Sequence, residues 1–168
     1  MEHGLSSKWK NIMEKDKQIK PREFLANISK PRISALIVDD DAGTRLTHKR
    51  ILENYNMEAK TVANGKEAVD LYQAGAYFDV ILMDQEMPIM DGAGATKELR
   101  AMCVKSMIVA VTSLADISER YKFMASGLDH CFEKPLTGEM VEFMLQELKR
   151  ERIIDSPTRY QCVGDHKT

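Results

Sequence analysis

The chain has 168 residues, 43% hydrophobic and 30% charged, which is enough for one full domain and short of two comfortable ones. Its formal net charge of −2 is uneven: residues 1–32 carry eight Lys/Arg against four Asp/Glu (+4), residues 151–168 carry three of each (0), and 33–150 therefore stand at −6. An acidic body argues against direct nucleic-acid binding, no apolar run approaches the roughly 18 residues of a membrane span, and the N-terminus lacks the apolar core of a secretory signal.

Residues 1–30 mix Lys, Glu, Asn and Ser around scattered apolar residues such as Trp9, Ile12 and Ile19, with Pro21 and Pro31 as punctuation. This stretch reads as a flexible basic extension, with a partner-docking amphipathic helix as the other reading. From Ile33 the pattern becomes regular. Ser34 to Val38 is an apolar strand ending in Asp39-Asp40-Asp41, and Thr44 to Tyr55 a helix with Leu46, Ile51, Leu52 and Tyr55 toward the core. Met57 to Val62 is the second strand. Asn64 caps the next helix, and Glu67 three residues later completes a capping box, with Ala68, Val69 and Tyr72 on the inner face. Tyr77 to Met83 is the third strand, and its Val80–Met83 run reads as buried on both sheet faces. Asp84 ends it, Pro88 prevents its continuation, and Asp91-Gly92 opens a helix that runs to Met102. Ser106 to Val111 is the fourth strand, ending at Thr112-Ser113. Asp116 to Ser126 is a helix, Leu128 to Phe132 a short fifth strand ending at Glu133-Lys134-Pro135. A last helix carries the stripe Met140, Val141, Met144, Leu145 and Leu148.

Five alternations of strand and helix specify a parallel sheet covered on both faces, a doubly wound α/β domain over residues 33–150. Residues 151–168 are read as a polar tail, and the expectation is a module without an output domain. The three cysteines, Cys103, Cys131 and Cys162, are far apart and lack metal-ligand spacing. That pattern suits a reducing compartment, cytosol or nucleus.

Ligands of open α/β sheets bind outside the carboxyl ends of the strands. That edge gathers Asp39, Asp40, Asp84, Thr112 and Lys134. Converging carboxylates repel unless a cation joins them, and the fitting cation is Mg²⁺, a hard ion that takes oxygen ligands and keeps several waters. A lysine and a hydroxyl opposite the acids suit a tetrahedral dianion, with Lys134 as its charge partner and Thr112 as a hydrogen-bond donor. A carboxylate can itself accept a phosphoryl group, and Asp84, on the central strand, is best placed to do so. Each feature alone is common in strand ends that serve only structure. Four of them at the ends of four correctly ordered strands are hard to reach by accident.

Val38-Asp39-Asp40, Met83-Asp84 with Met87-Pro88 and Asp91-Gly92, Val111-Thr112-Ser113 and Lys134-Pro135 resemble the receiver domain of two-component response regulators. The resemblance covers about Ile33 to Arg150. Three stretches are closest to the receiver-only, C-type response regulators of plants: Asp84-Gln85-Glu86-Met87-Pro88, Ser106-Met107-Ile108-Val109, and His130 to Leu136. It implies a flavodoxin-like fold with sheet order 2-1-3-4-5, and Mg²⁺-dependent phosphate transfer to Asp84 from a histidine phosphotransfer protein. By matching position, Asp40, Asp84 and the main-chain carbonyl of Glu86 hold the metal, and Asp39 holds metal-bound water. The resemblance further implies a monomer in the cytoplasm and nucleus, a place in cytokinin signalling, and a cis Lys134–Pro135 peptide.

Two positions depart from the pattern. Most receivers carry an aromatic residue three positions before the lysine, which swings inward as the threonine closes on the phosphoryl group. Here that position is Cys131, which puts the usual switch in doubt. Glu86, two residues after the acceptor, lies where water must attack an acyl phosphate. With the switch weakened and no output domain expected, the functional reading is a receiver that consumes relay phosphate or regulates by binding. The rival is a haloacid-dehalogenase-type phosphatase whose Asp-x-Asp signature starts at Asp39 with Asp41 as second acid. Gly43 then occupies a position that signature reserves for Thr or Val, and Asp84 and Lys134 need other roles. An inactive binding module of the same fold is disfavoured because every acid, the threonine and the lysine are present.

Overall fold

The computed structural model describes residues 32–113 and 116–154. The segments read as a basic extension and as a polar tail lie outside them, apart from Arg32 and 151–154. Within the described residues, strands β1 (Ser34–Val38), β2 (Glu58–Val62), β3 (Val80–Met83), β4 (Met107–Thr112) and β5 (His130–Glu133) alternate with five helices. The helices are α1 (Ala42–Asn54), α2 (Gly65–Gln73), α3 (Gly92–Ala101), α4 (Ile117–Ala125) and α5 (Gly138–Ile154). All neighbouring strands are parallel and the order is β2-β1-β3-β4-β5, the expected flavodoxin-like arrangement. Helix α5 extends four residues past Arg150, into the stretch read as a tail.

Strand side chains alternate between faces, and each face builds its own core. Leu36, Val38, Ile81, Met83, Ile108 and Ala110 pack on α2, α3 and α4 through Val69, Leu99 and Phe123. Ala35, Ile37, Val80, Leu82, Val109 and Val111 pack on α1 and α5 through Leu52, Val141, Met144 and Leu148. The unbroken apolar strands are therefore buried on both sides, as parallel strands between helical layers must be.

Helix starts follow side-chain capping. Asp41 accepts from Thr44 N (2.6 Å), Asn64 from Glu67 N (3.0 Å), Asp91 from Gly94 N (2.7 Å) and Asp116 from Ser118 N (2.6 Å). The Asn64–Glu67 box closes one residue early, since Glu67 Oε2 accepts from Ala63 N (3.0 Å) while Oε1 accepts from the Asn64 amide (2.9 Å). Two expectations need correction. Leu46 does not face the core; it is 50% exposed, and His48 takes the buried position on α1. The third strand begins at Val80 rather than Tyr77, because Asp79 turns its carboxylate onto Ser34 N (2.7 Å) and Ser34 Oγ (3.0 Å). That bond anchors the entry to β3 without extending the strand.

Candidate functional site

Each residue at the carboxyl edge of the sheet is set by the last rung of the ladder. Asp84 N donates to Val38 O (2.9 Å), Asp39 N to Val62 O (3.3 Å), and Lys134 N to Thr112 O (3.0 Å). These rungs bring side chains from β1, β3 and β5 together. Lys134 Nζ lies 2.7 Å from Asp39 Oδ2 and 3.3 Å from Asp84 Oδ1. Asp39, Asp40 and Asp84 each offer a carboxylate oxygen, all within 4.8 Å of one another. Asp39 and Asp84 are buried, whereas Asp40 is exposed. Thr112 closes β4 as a buried residue. The Lys134–Pro135 peptide is cis.

The charges shape one another. Burial holds the Asp84 carboxyl above its ordinary range; Lys134 works against this and Asp39 adds to it. Burial also disfavours the Lys134 ammonium, but the hydrogen bond to Asp39 and the charges of Asp84 and Asp39 outweigh it. The net result raises the lysine above its usual value. Three carboxylates against one ammonium leave a formal −2, matched by one divalent cation. The donors are all hard oxygens and one of the acids is open to solvent, so these residues fit Mg²⁺ with water in its remaining positions.

An open cleft of about 430 Å³ lies over this edge, lined by Asp40, Gln85, Glu86, Met87, Pro88 and Asp91. Glu86 therefore sits on the wall of the cleft, with its side chain exposed. A second cleft of about 500 Å³, lined by Thr44, Thr47, His48, Lys134 and Pro135 among others, lies alongside α1.

Three features of the site escaped the reading by motif. His48 is buried, and that burial lowers its pKa, with Asp39 opposing and Lys134 reinforcing the shift; its spacing of four from Leu52 was the available signal. Arg45 Nη1 donates to the carbonyls of both Asp39 (2.7 Å) and Asp40 (2.9 Å). Gly92 presses on the Asp84 peptide: a methyl group there would run into the Asp84 carbonyl oxygen and lie 2.8 Å from Phe123 Cζ.

A profile described as "Response regulator receiver domain" matches residues 35–146. Two-component response regulator ARR22 of Arabidopsis thaliana is 50% identical over 137 residues, covering 80% of this chain and 92% of that protein. Two-component response regulator 24 of the same plant is 42% identical over 126 residues, covering 75% and 91%. Both relatives are thus little longer than a receiver. The CheY-like receiver domain protein of Methanospirillum hungatei, at 22% identity, superposes with a TM-score of 0.68 over 74% of this chain and 99% of its own; that likeness speaks for the fold alone. On the profile and the plant relatives together, the chain belongs to the response regulator receiver domain family.

Proposed function

We propose that this protein takes a phosphoryl group onto Asp84 from a histidine phosphotransfer protein, in a Mg²⁺-dependent step, and returns it to water. The observation that carries the reading is the position of Lys134 Nζ, which touches both Asp39 and Asp84 while Asp40 lies alongside. A carboxylate oxygen of Asp84 attacks the phosphorus of the donor's phosphohistidine. A P–O bond forms, the P–N bond breaks, and the imidazole nitrogen leaves with the electron pair. Lys134 neutralises charge on the transferred phosphoryl oxygens and Thr112 donates to one of them. Asp40, Asp84 and the Glu86 main-chain carbonyl would hold Mg²⁺, with Asp39 orienting a water beside it, and the ion would supply charge neutralisation for the phosphoryl oxygens. In hydrolysis a water oxygen attacks phosphorus, the P–O bond to Asp84 breaks with its electron pair left on the carboxylate, and inorganic phosphate departs with the water proton lost to solvent.

The receiver is assigned to residues 33–150, with 1–32 and 151–168 as flanking segments. Similarity to plant regulators that are little longer than a receiver favours action through phosphotransfer partners and not by direct DNA binding; action as a monomer is carried over from the resemblance alone. The cytoplasm, the nucleus and cytokinin signalling are carried over from the same resemblance. The phosphatase reading loses its second acid, because Asp41 caps α1 through Thr44 N and that bond lowers its pKa.

Incubation with a phosphorylated histidine phosphotransfer protein and Mg²⁺, following both proteins over time, tests the proposal. The donor should lose its phosphate, and Asp84→Asn should take up none. Acid-labile label on Asp84→Asn at the wild-type level would refute the assignment. Steady turnover of small phosphate esters would favour the phosphatase instead.

A further inference from the structure

Successive side chains in a strand point to opposite faces. Two consecutive acids at a strand end therefore cannot reach one point unless the backbone turns between them. Asp39 and Asp40 do reach one point, since their carboxylate oxygens and that of Asp84 lie within 4.8 Å of one another. One nitrogen holds the turn. Arg45 Nη1 donates to Asp39 O at 2.7 Å and to Asp40 O at 2.9 Å, so two successive carbonyls that would alternate in a strand face the same donor.

Those carbonyls belong to the two peptide planes that flank the Asp40 Cα, and fixing both planes fixes the direction of its side chain. The donor is itself anchored. Arg45 N bonds to Asp41 O (3.0 Å), in the helix turn that the Asp41 carboxylate caps through Thr44 N (2.6 Å). Asp39 needs no such help, because Asp41 N donates to its Oδ1 (2.9 Å) and Lys134 Nζ to its Oδ2 (2.7 Å). Asp40 is exposed, and among the described residues no comparable pair of bonds to its carboxylate accompanies the Arg45 clamp.

We infer that Arg45 is a positioning residue for the cation site, holding the Asp39–Asp40 turn so that the Asp40 carboxylate converges with Asp39 and Asp84. The inference rests on reading those three acids as a Mg²⁺ site. Arg45 has two opposed influences on such a site. Its positive charge, held on the carbonyls of Asp39 and Asp40, opposes a cation at the site, and its double bond to the turn aligns the acids. Substitution separates the two. Arg45→Lys keeps the charge but ends one bond short of the carbonyls, and Arg45→Gln removes the charge as well.

The experiment is calorimetric titration of Mg²⁺ into the full chain, for the wild type, Arg45→Lys, Arg45→Gln and Asp40→Asn. Melts of each in excess chelator accompany it. Residues behind a metal's direct ligands typically change its affinity by about 10–100-fold. Both Arg45 variants should accordingly bind Mg²⁺ at least about tenfold more weakly than wild type. Their metal-free melting temperatures should stay within about 5 °C of wild type, because both carbonyls can turn to water instead. Wild-type affinity in Arg45→Lys, tighter binding in Arg45→Gln, or loss of the metal-free fold in Arg45→Lys would overturn the inference. If the wild type itself gives no saturable Mg²⁺ binding that Asp40→Asn removes, the reading of the acids as a metal site falls, and the inference with it. If those two proteins behave as expected and only the Arg45 variants are indifferent, the inference alone fails.

Discussion

Gly92→Ala sets two effects of opposite sign against each other beside Asp84. Gly92 opens α3, and replacing a helical glycine by alanine ordinarily stabilises by up to about 1 kcal/mol. Here the added methyl would collide with the Asp84 carbonyl oxygen, and would lie 2.8 Å from Phe123 Cζ and 3.0 Å from Asp84 C. Comfortable carbon contacts begin near about 3.5 Å. Neither neighbour can withdraw cheaply. Phe123 is completely buried, and the Asp84 peptide is tied to β1 through Asp84 N→Val38 O (2.9 Å). Gly92 N is in addition bonded to Gln85 O (3.0 Å), so the helix start and the loop move together or not at all.

Overpacking of this kind costs about 1–3 kcal/mol, and a clash with backbone belongs at the upper end. The packing term exceeds the propensity gain, and the net expectation is a loss of about 1–2 kcal/mol. Urea unfolding followed by circular dichroism reads this directly, as a midpoint lowered by roughly 0.5–1 M at a typical slope. Gly43→Ala in α1 is the control. A methyl there meets only Asp41 Oδ1, at 3.3 Å, and should leave stability unchanged or raise it by up to about 1 kcal/mol. Folded Gly92→Ala should also accept phosphate more slowly, since relief of the clash displaces the Asp84 peptide. A Gly92→Ala protein as stable as wild type, or more stable, would refute the packing argument.

In chelator, Asp84→Asn should melt higher than wild type at neutral pH, because burial raises the Asp84 carboxyl above its unfolded value of 3.8. A raised carboxyl contributes stability that is complete below the unfolded pKa and is lost as pH rises through the folded one, so the advantage of the variant should vanish below about pH 3.8; an advantage that persists in acid contradicts the cause. Mg²⁺ should raise the wild-type melting temperature, by the equivalent of about 1.4 kcal/mol at ten times its dissociation constant, and a melt indifferent to chelator and metal counts against the site. Arg100→Ala should lower stability by about 2–4 kcal/mol, because Arg100 bonds the carbonyls of Gly127 (2.9 Å), Val104 (2.8 Å) and Ser106 (2.9 Å) and the Asp129 carboxylate (2.7 Å). Denaturation measures that loss, while phosphate uptake below the melting range should remain.

The strands and the edge residues were legible because their signals are local. The apolar runs of β1, β3 and β4, ending in an acid or a threonine, predict the centre of the sheet and the side chains along its rim. The phase of α1 was not legible in this way. Apolar periodicity selected Leu46, but the buried stripe runs through His48 and Leu52, and a polar residue at a buried position is invisible to a hydrophobic pattern. Arg45 and Gly92 were missed for another reason. Their importance lies in contacts with Asp39, Asp40 and Asp84 that exist only once β1, β3 and the helix starts have been brought together. The turn Asp91-Gly92 could be read as a helix start, but the demand for a bare Cα against the Asp84 peptide is a property of the assembled sheet.

The same alternation of faces bears on how a phosphorylated form could signal. Cys131 packs into the core beneath α2, α3 and α4, whereas Phe132 belongs to the opposite face, among Val109, Val111 and the residues of α5. His130 lies 6.4 Å from Phe132 between ring centroids, and Phe143 contacts both rings edge-on. Two rings thus flank the position where most receivers carry a mobile aromatic. Neither can substitute for it, because a shift of one residue along a strand reverses the face. Arg120 Nη2 meanwhile donates to Cys131 O (3.0 Å), which ties α4 to β5 through the backbone whatever the side chain at 131 does. Partner affinity can change with phosphorylation only as far as contacts differ between the two states. With a thiol in place of a ring and α4 held by a main-chain acceptor, little contact difference is available to this face. That balance supports the proposed consumption of phosphate at Asp84, with the cleft and its loops, and not the α4–β5 surface, as the region proposed to meet a phosphotransfer partner.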